Sequence, residues 1–148
     1  MAGRTLSLRV ITPERIVLDA KVSSVRLPGV DGSIGVLPRH AHMVAAIDVG
    51  LLHYTQDGIK HVLFVSEGFA EVKDDTLRVV CEAGERPAEI DEGRARAAEA
   101  RARERLTRFR GAEAVPEPVD LLRAEAALRR ALTRLEAVRY APRERVRT

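Results

Sequence analysis

Gly84-Glu85-Arg86-Pro87-Ala88-Glu89-Ile90-Asp91-Glu92-Gly93-Arg94-Ala95 is the stretch on which the fold of this chain turns. Before it run short apolar segments separated by glycine and aspartate turns. After it runs an Arg/Ala/Glu/Leu-rich segment with helical spacing and no lysine. Pro87 closes the first pattern. Asp91 opens the second as an N-cap or first-turn acid, where a carboxylate faces the positive end of the helix dipole. Charge divides at the same place: 9 basic and 10 acidic residues precede Glu85, while 16 and 12 lie from Glu85 onward. The net charge of +3 therefore belongs to the helical part.

Upstream, Leu6, Leu8 and Val10 alternate with polar residues, the period of a half-buried strand. Short strands continue through Val22 to Leu27, Ile34 to Leu37 and Met43 to Ile47. Leu51 to Thr55 and Ile59 to Val65 flank Asp57-Gly58, a hairpin signal because a tight turn needs positive φ. Phe69 to Val72 and Leu77 to Cys81 flank Asp74-Asp75, a second hairpin. Strands this short and this regularly spaced predict a sandwich or barrel.

Downstream, a helix over about 91–109 carries a thin stripe of Ala95, Ala98, Ala102, Leu106 and Phe109. Gly111 to Pro118 reads as a linker with two prolines. Asp120 opens a second helix over about 119–138, with Leu121, Ala124, Leu128, Leu132, Leu135 and Val138 on one face. The fold class is α+β: a β domain over 1–86, then an antiparallel helical hairpin over 87–140. Residues 141–148 form a basic tail expected to be disordered. An alanine face buries far less apolar area than a leucine face, so the hairpin is expected to be marginal and able to open or re-dock.

Composition excludes several functions. Aromatic residues make up 3% and Trp is absent, which disfavours a stacking platform for single-stranded nucleic acid. No run approaches the ~20 apolar residues needed to cross a bilayer, and Met1-Ala2-Gly3-Arg4 lacks a signal-peptide core. The expectation is a soluble, intracellular chain that meets a membrane only through a partner. Cys81, the single cysteine, alternates with Val79 and reads as a buried bystander thiol. His40 and His42 alternate but lack a third ligand, so no metal is expected. His53 and His61 flank the Asp57-Gly58 turn as a cross-strand pair. Ser66 lacks the spacing of a nucleophile elbow, and no Walker-type loop occurs. Nothing supports catalysis by this chain.

Ile90-Asp91-Glu92-Gly93-Arg94-Ala95 recurs in related form as Val119-Asp120-Leu121-Leu122-Arg123-Ala124. Each can be a repeated helix start, with the Arg pairing the acid at i+3. Arg130 and Arg134 share a helix face, and Arg101 can meet them across the hairpin, with Arg94 one to two turns earlier. Guanidinium groups that converge repel one another unless an anion lies between them, and polyphosphate suits their planar, multi-donor geometry. The alternative is a solvated face paired with Glu99, Glu104, Glu125 and Glu136.

Leu8 to Glu14, Gly32 to Pro38 followed by His40, Val65 to Val72 and Glu85 to Ala95 together resemble the epsilon subunit family of bacterial F-type ATP synthases, over roughly residues 4 to 138. The resemblance implies a flattened ten-strand β-sandwich followed by the hairpin. It also implies a non-catalytic rotor subunit on the central stalk of a proton- or sodium-translocating enzyme, at the cytoplasmic face of the bacterial plasma membrane. Its implied partners are the gamma subunit and the c-ring, with the alpha/beta catalytic head in an extended state that inhibits ATP hydrolysis. In some bacterial members the folded-down hairpin binds ATP through Ile or Leu, Asp, two residues, Arg, Ala. Ile90, Asp91, Arg94 and Ala95 match that motif, and Glu85, Arg101, Arg130 and Arg134 fall on its further positions. No cofactor is implied beyond this regulatory ATP. Three features depart from the family pattern. Arg39 stands where Gly usually precedes His40, Glu67 replaces the first Gly of a Gly-Gly pair, and the 111–118 linker is longer than the usual helix turn. A competing reading is a stand-alone nucleotide-sensing or nucleic-acid-binding adaptor using the basic hairpin, although mixed charge along the helices weighs against nucleic acid.

Overall fold

Alternation at Leu6, Leu8 and Val10 builds a first strand, and the computed structural model, which describes residues 3–111 and 117–142, buries all three. Ten strands form in chain order: β1 (Leu6–Ile11), β2 (Ile16–Val22), β3 (Ser24–Gly29), β4 (Gly32–Val36), β5 (Met43–Ile47), β6 (Gly50–Gln56), β7 (Ile59–Val65), β8 (Gly68–Lys73), β9 (Thr76–Cys81) and β10 (Gly84–Glu85). Their pairing runs β10-β7-β6-β3-β5-β8-β9-β1-β2, with β4 branching from β3. The ladders are antiparallel except β1 against β9. β3 changes neighbours along its length: Ser24 to Arg26 pair with β6, and Gly29 pairs with Ile47 of β5. A strand shared in this way folds the ladder over into a sandwich, and the inward residues of both layers form one core. Leu8, Leu27, Leu52, Val72 and Leu77 lie in that core.

β7 breaks the alternation. Val62, Leu63, Phe64 and Val65 are all buried, the mark of a strand covered on both faces. Leu63 and Val65 join the sandwich core, whereas Phe64 faces the helices.

The two hairpin turns have the expected tight geometry. Asp57 (φ 50°) and Gly58 (φ 76°) join Gln56 to Ile59. Asp74 (φ 51°) and Asp75 (φ 55°) join Lys73 to Thr76 without a glycine. The first register pairs His53 with Val62 and Tyr54 with His61. His53 and His61 are therefore not partners: they are offset by one residue, which puts them on opposite faces of the ladder. His61 instead stacks on Tyr54 with centroids 4.9 Å apart.

Arg39 has φ 67°, and its backbone N–H donates to Asp75 Oδ1 at 2.6 Å. The left-handed region costs an ordinary residue about 1–2 kcal/mol, and glycine is exempt. Arg39→Gly keeps the N–H bond to Asp75. It is expected to stabilise the sandwich by about 1 kcal/mol, less the entropy that glycine gains when unfolded, read as a higher urea midpoint at unchanged m.

A single 3-10 turn, Pro87–Glu89, precedes α1 (Glu92–Gly111), and α2 spans Pro118–Val138. Asp91 caps α1: its Oδ1 accepts the Arg94 N–H at 3.0 Å. The second helix begins two residues before Asp120, because Pro118 at its first position has a pre-set φ and no N–H to satisfy. The helices are antiparallel. Glu92, Arg96 and Glu99 of α1 share a groove with Leu135, Glu136 and Val138 of α2.

Among the described residues, the fully buried ones of the hairpin are all alanines: Ala95 and Ala102 of α1, and Ala124, Ala131 and Ala137 of α2. Ala124 and Ala131, seven apart, share one face of α2, whereas Ala137 shares the face of Arg130 and Arg134. The expected leucine stripe is only partly inside, and Leu132 is 39% exposed. Leu121, Leu128 and Leu135 are half-buried, and alanines in the buried positions allow the two backbones a close approach. Of the linker and tail expected from sequence, residues 112–116 and 143–148 lie outside the described residues.

Candidate functional site

α2 is the helix laid on the sandwich, against β6 and β7. Charged and aromatic contacts hold it at four points. Arg129 pairs with Asp48, and Arg130 Nη1 lies 3.6 Å from Glu67 Oε1. Arg134 Nε donates to Glu85 Oε2 at 3.1 Å, while its guanidinium sits 4.5 Å from the centre of the Phe64 ring. Near the helix end, Tyr140 meets His53 edge-on at 6.3 Å. Burial and the charge of Arg26 lower the pKa of His53, which favours its neutral form against the ring.

Between the Glu85–Ala95 segment, α1 and α2 lies a cavity of about 430 Å³. That volume falls within the roughly 300–1,000 Å³ of small-molecule sites. Glu85, Ile90, Asp91, Arg94, Ala95, Arg101 and Arg134 line it, so seven of the eight residues singled out from sequence converge here. Arg130 stands apart, held by Glu67. Glu89, Ala97 and Ala98 line the cavity too, and sequence reasoning misses all three as site residues. Glu89 sits on the 3-10 turn, where it pairs with Arg15 and Arg86. A contact with a residue about seventy positions away leaves no local mark in the sequence.

The ion pairs show which of these arginines are engaged. On α1, Glu92 pairs with Arg96, Glu99 with Arg103 and Glu104 with Arg108, each at i+4. Of the four acids expected to pair with the cavity arginines, Glu99 and Glu104 thus serve other arginines, and Glu125 and Glu136 form no ion pair among the described residues. Arg94 and Arg101 have no carboxylate partner among the described residues. The wall therefore presents two guanidinium groups outside any ion pair and a third, Arg134, shared with Glu85 and Phe64, while the acids that also line it are engaged elsewhere: Glu89 with Arg15 and Arg86, Asp91 at the helix cap. Such a set suits a multiply charged, oxygen-rich anion. The same i+4 pairs interrupt the basic surface along α1, a poor match to a continuous nucleic-acid backbone.

Other candidates for chemistry are structural. Ser66 is buried, and its Oγ accepts the Ala83 N–H at 2.7 Å. Cys81 is buried, and desolvation pushes its thiol up to about 11. His40 Nδ1 lies 2.7 Å from the Ala41 carbonyl oxygen. No group of three or more His, Cys, Asp or Glu able to hold a metal occurs among the described residues. No helix among them is long and apolar enough to cross a membrane.

Two family profiles cover the chain. The ATP synthase Delta/Epsilon chain beta-sandwich domain matches residues 5–87, and the long alpha-helix domain of the same chain matches residues 88–139. The chain is 43% identical to the ATP synthase epsilon chain of Nitratidesulfovibrio vulgaris (strain DP4), over 89% of its length and 94% of that protein. It is 47% identical to the ATP synthase epsilon chain of Symbiobacterium thermophilum, over 89% and 91%. Among solved structures it resembles a chain of the Euglena gracilis mitochondrial ATP synthase, OSCP/F1/c-ring assembly. There the TM-score is 0.72 at 24% identity, covering 90% of this chain and 80% of that one. A chain of the Tetrahymena thermophila mitochondrial ATP synthase central stalk/c-ring gives 0.58 at 12% identity, covering 93% and 99%. These two likenesses are of fold.

Proposed function

The chain belongs to the ATP synthase delta/epsilon chain family, and from that premise we propose that it is a non-catalytic rotor subunit whose helical hairpin is a nucleotide-gated brake on ATP hydrolysis. The sandwich joins the gamma subunit to the c-ring of a proton- or sodium-translocating enzyme. It is held peripherally at the cytoplasmic face of the bacterial plasma membrane by those partners. The hairpin either lies on the sandwich or extends along gamma toward the alpha/beta catalytic head, where it obstructs hydrolysis.

The observation that carries the nucleotide part is the cavity in which Arg94 and Arg101 lack carboxylate partners among the described residues and Arg134 is only partly engaged. ATP, not hydrolysed here, would bridge α1 and α2 and select the docked state. A ligand shifts such an equilibrium only by its differential affinity. At a concentration 100 times its dissociation constant, a ligand specific to the docked form favours it by about 2.7 kcal/mol. That is enough to govern a hairpin with an alanine seam and half-exposed ion pairs, each worth about 0–1 kcal/mol.

Removing residues from 88 onward tests the brake in the assembled enzyme. Among the described residues the sandwich core contains none beyond Cys81, so it should survive the deletion. ATP hydrolysis is expected to rise in the truncated enzyme while co-purification with gamma and the c-ring persists. Equal hydrolysis in both enzymes would remove the inhibitory role, and failure to co-purify with either partner would remove the rotor role.

A further inference from the structure

Arg130 differs from the arginines around it in how it is held. Its guanidinium lies 3.6 Å from the Glu67 carboxylate, longer than the ~2.7–2.9 Å of a charge-assisted hydrogen bond. One turn later, Arg134 makes a true hydrogen bond to Glu85 at 3.1 Å and lines the cavity. Arg130 does not line it, although both residues lie on the same helix face.

The carboxylate that holds Arg130 comes from a stiff part of the sandwich. Glu67 stands between β7 and β8, and its carbonyl accepts the Glu82 N–H at 3.2 Å. Its neighbour Ser66 donates its N–H to the Ala83 carbonyl at 3.0 Å, and Gly68 is pressed against the backbone of Val80 and Cys81. The turn cannot follow Arg130 if that side chain moves. A half-exposed acid on a pinned backbone, facing a half-exposed arginine through a loose ion pair, is a contact that another anion can exchange.

We propose that Glu67 is a built-in competitor for Arg130, holding its guanidinium out of the cavity so that Glu67 sets the affinity of the polyphosphate site. The inference rests on the nucleotide reading above. With Glu67 charged, the anion meets Arg94, Arg101 and Arg134. With Glu67 neutral, Arg130 is free to turn one helical step toward the same phosphates. Half-exposed pairs are individually weak, so the competition should alter affinity by about 1.5- to 5-fold.

The test is calorimetric titration of ATP into the full chain, at one ionic strength, for the unaltered protein, Glu67→Gln, Arg130→Ala and the double variant. Circular dichroism confirms that each retains its helices. Glu67→Gln should bind ATP about 1.5- to 5-fold more tightly. Arg130→Ala should have little effect alone and should cancel the gain when combined with Glu67→Gln. Unchanged or weaker binding by Glu67→Gln overturns the inference, as does an Arg130→Ala loss that is the same in both backgrounds. If the unaltered chain binds ATP and Arg94→Ala abolishes that binding, such a result leaves the nucleotide site standing and removes only the role of Glu67. Saturable binding by none of the four proteins removes the site and this inference together.

Discussion

Gly68→Ala should destabilise the sandwich by about 3 kcal/mol, a large share of the roughly 5–15 kcal/mol that holds a domain folded. Gly68 begins β8, between Ile47 of β5 and Cys81 of β9. A Cβ there would collide with the carbonyl oxygen of Val80 and come within 2.7 Å of the Cys81 Cα. Both obstacles are backbone, and β9 is held between β8 and β1, so neither yields cheaply. The expected result is a fall in Tm of more than about 10 °C. Gly35→Ala is the control, because nothing lies within 4 Å of where its methyl group would sit and its φ is not left-handed. Equal stability of the two variants would show that the β8–β9 approach is not tight. The same contact fixes the turn that presents Glu67, so Gly68→Ala should also loosen the seat of α2.

Arg94→Ala and Arg101→Ala should each weaken ATP binding by about 1.5–3 kcal/mol, roughly 10- to 150-fold. Both side chains line the cavity, and neither has a carboxylate partner among the described residues. Removing either takes away a charge-assisted bond without stranding a buried acid. Arg94→Lys should recover only part of the loss, because a point charge cannot reproduce the planar fork. Arg103→Ala is the control: its partner is Glu99 and it does not line the cavity. If neither cavity variant changes affinity, those arginines form a solvated face and the nucleotide gate is wrong. The rotor role, which rests on family membership, would stand.

Much of the architecture is legible in the sequence because it is written in local periodicity. Period-two alternation marks β1 and β9, Asp57-Gly58 and Asp74-Asp75 mark two hairpins, and Asp91 marks the cap of α1. Spacing also places Arg94, Arg101, Arg130 and Arg134 on facing surfaces, and all but Arg130 line one cavity. The failures share one cause. Apolar spacing along α2 predicts a buried face made mostly of leucine, yet its fully buried positions are Ala124, Ala131 and Ala137, because how closely a helix is approached depends on both packed surfaces at once. Position about the turn predicts a His53–His61 pair, but the ladder register offsets the two by one.

By itself the sequence determined where strands give way to helices, which residues turn the chain, and that the basic charge lies on the hairpin. Each of these depends on the conformational preference of a few neighbouring residues. Only the tertiary structure decided which arginines are neutralised. Asp48, Glu67 and Glu85 come from three separate points of the sandwich to meet Arg129, Arg130 and Arg134 within two turns of one helix. Coulomb attraction depends on distance in space, and those distances were set by the docking of α2 on β6 and β7. Two guanidinium groups were thereby left facing a cavity, and a third was held just outside it.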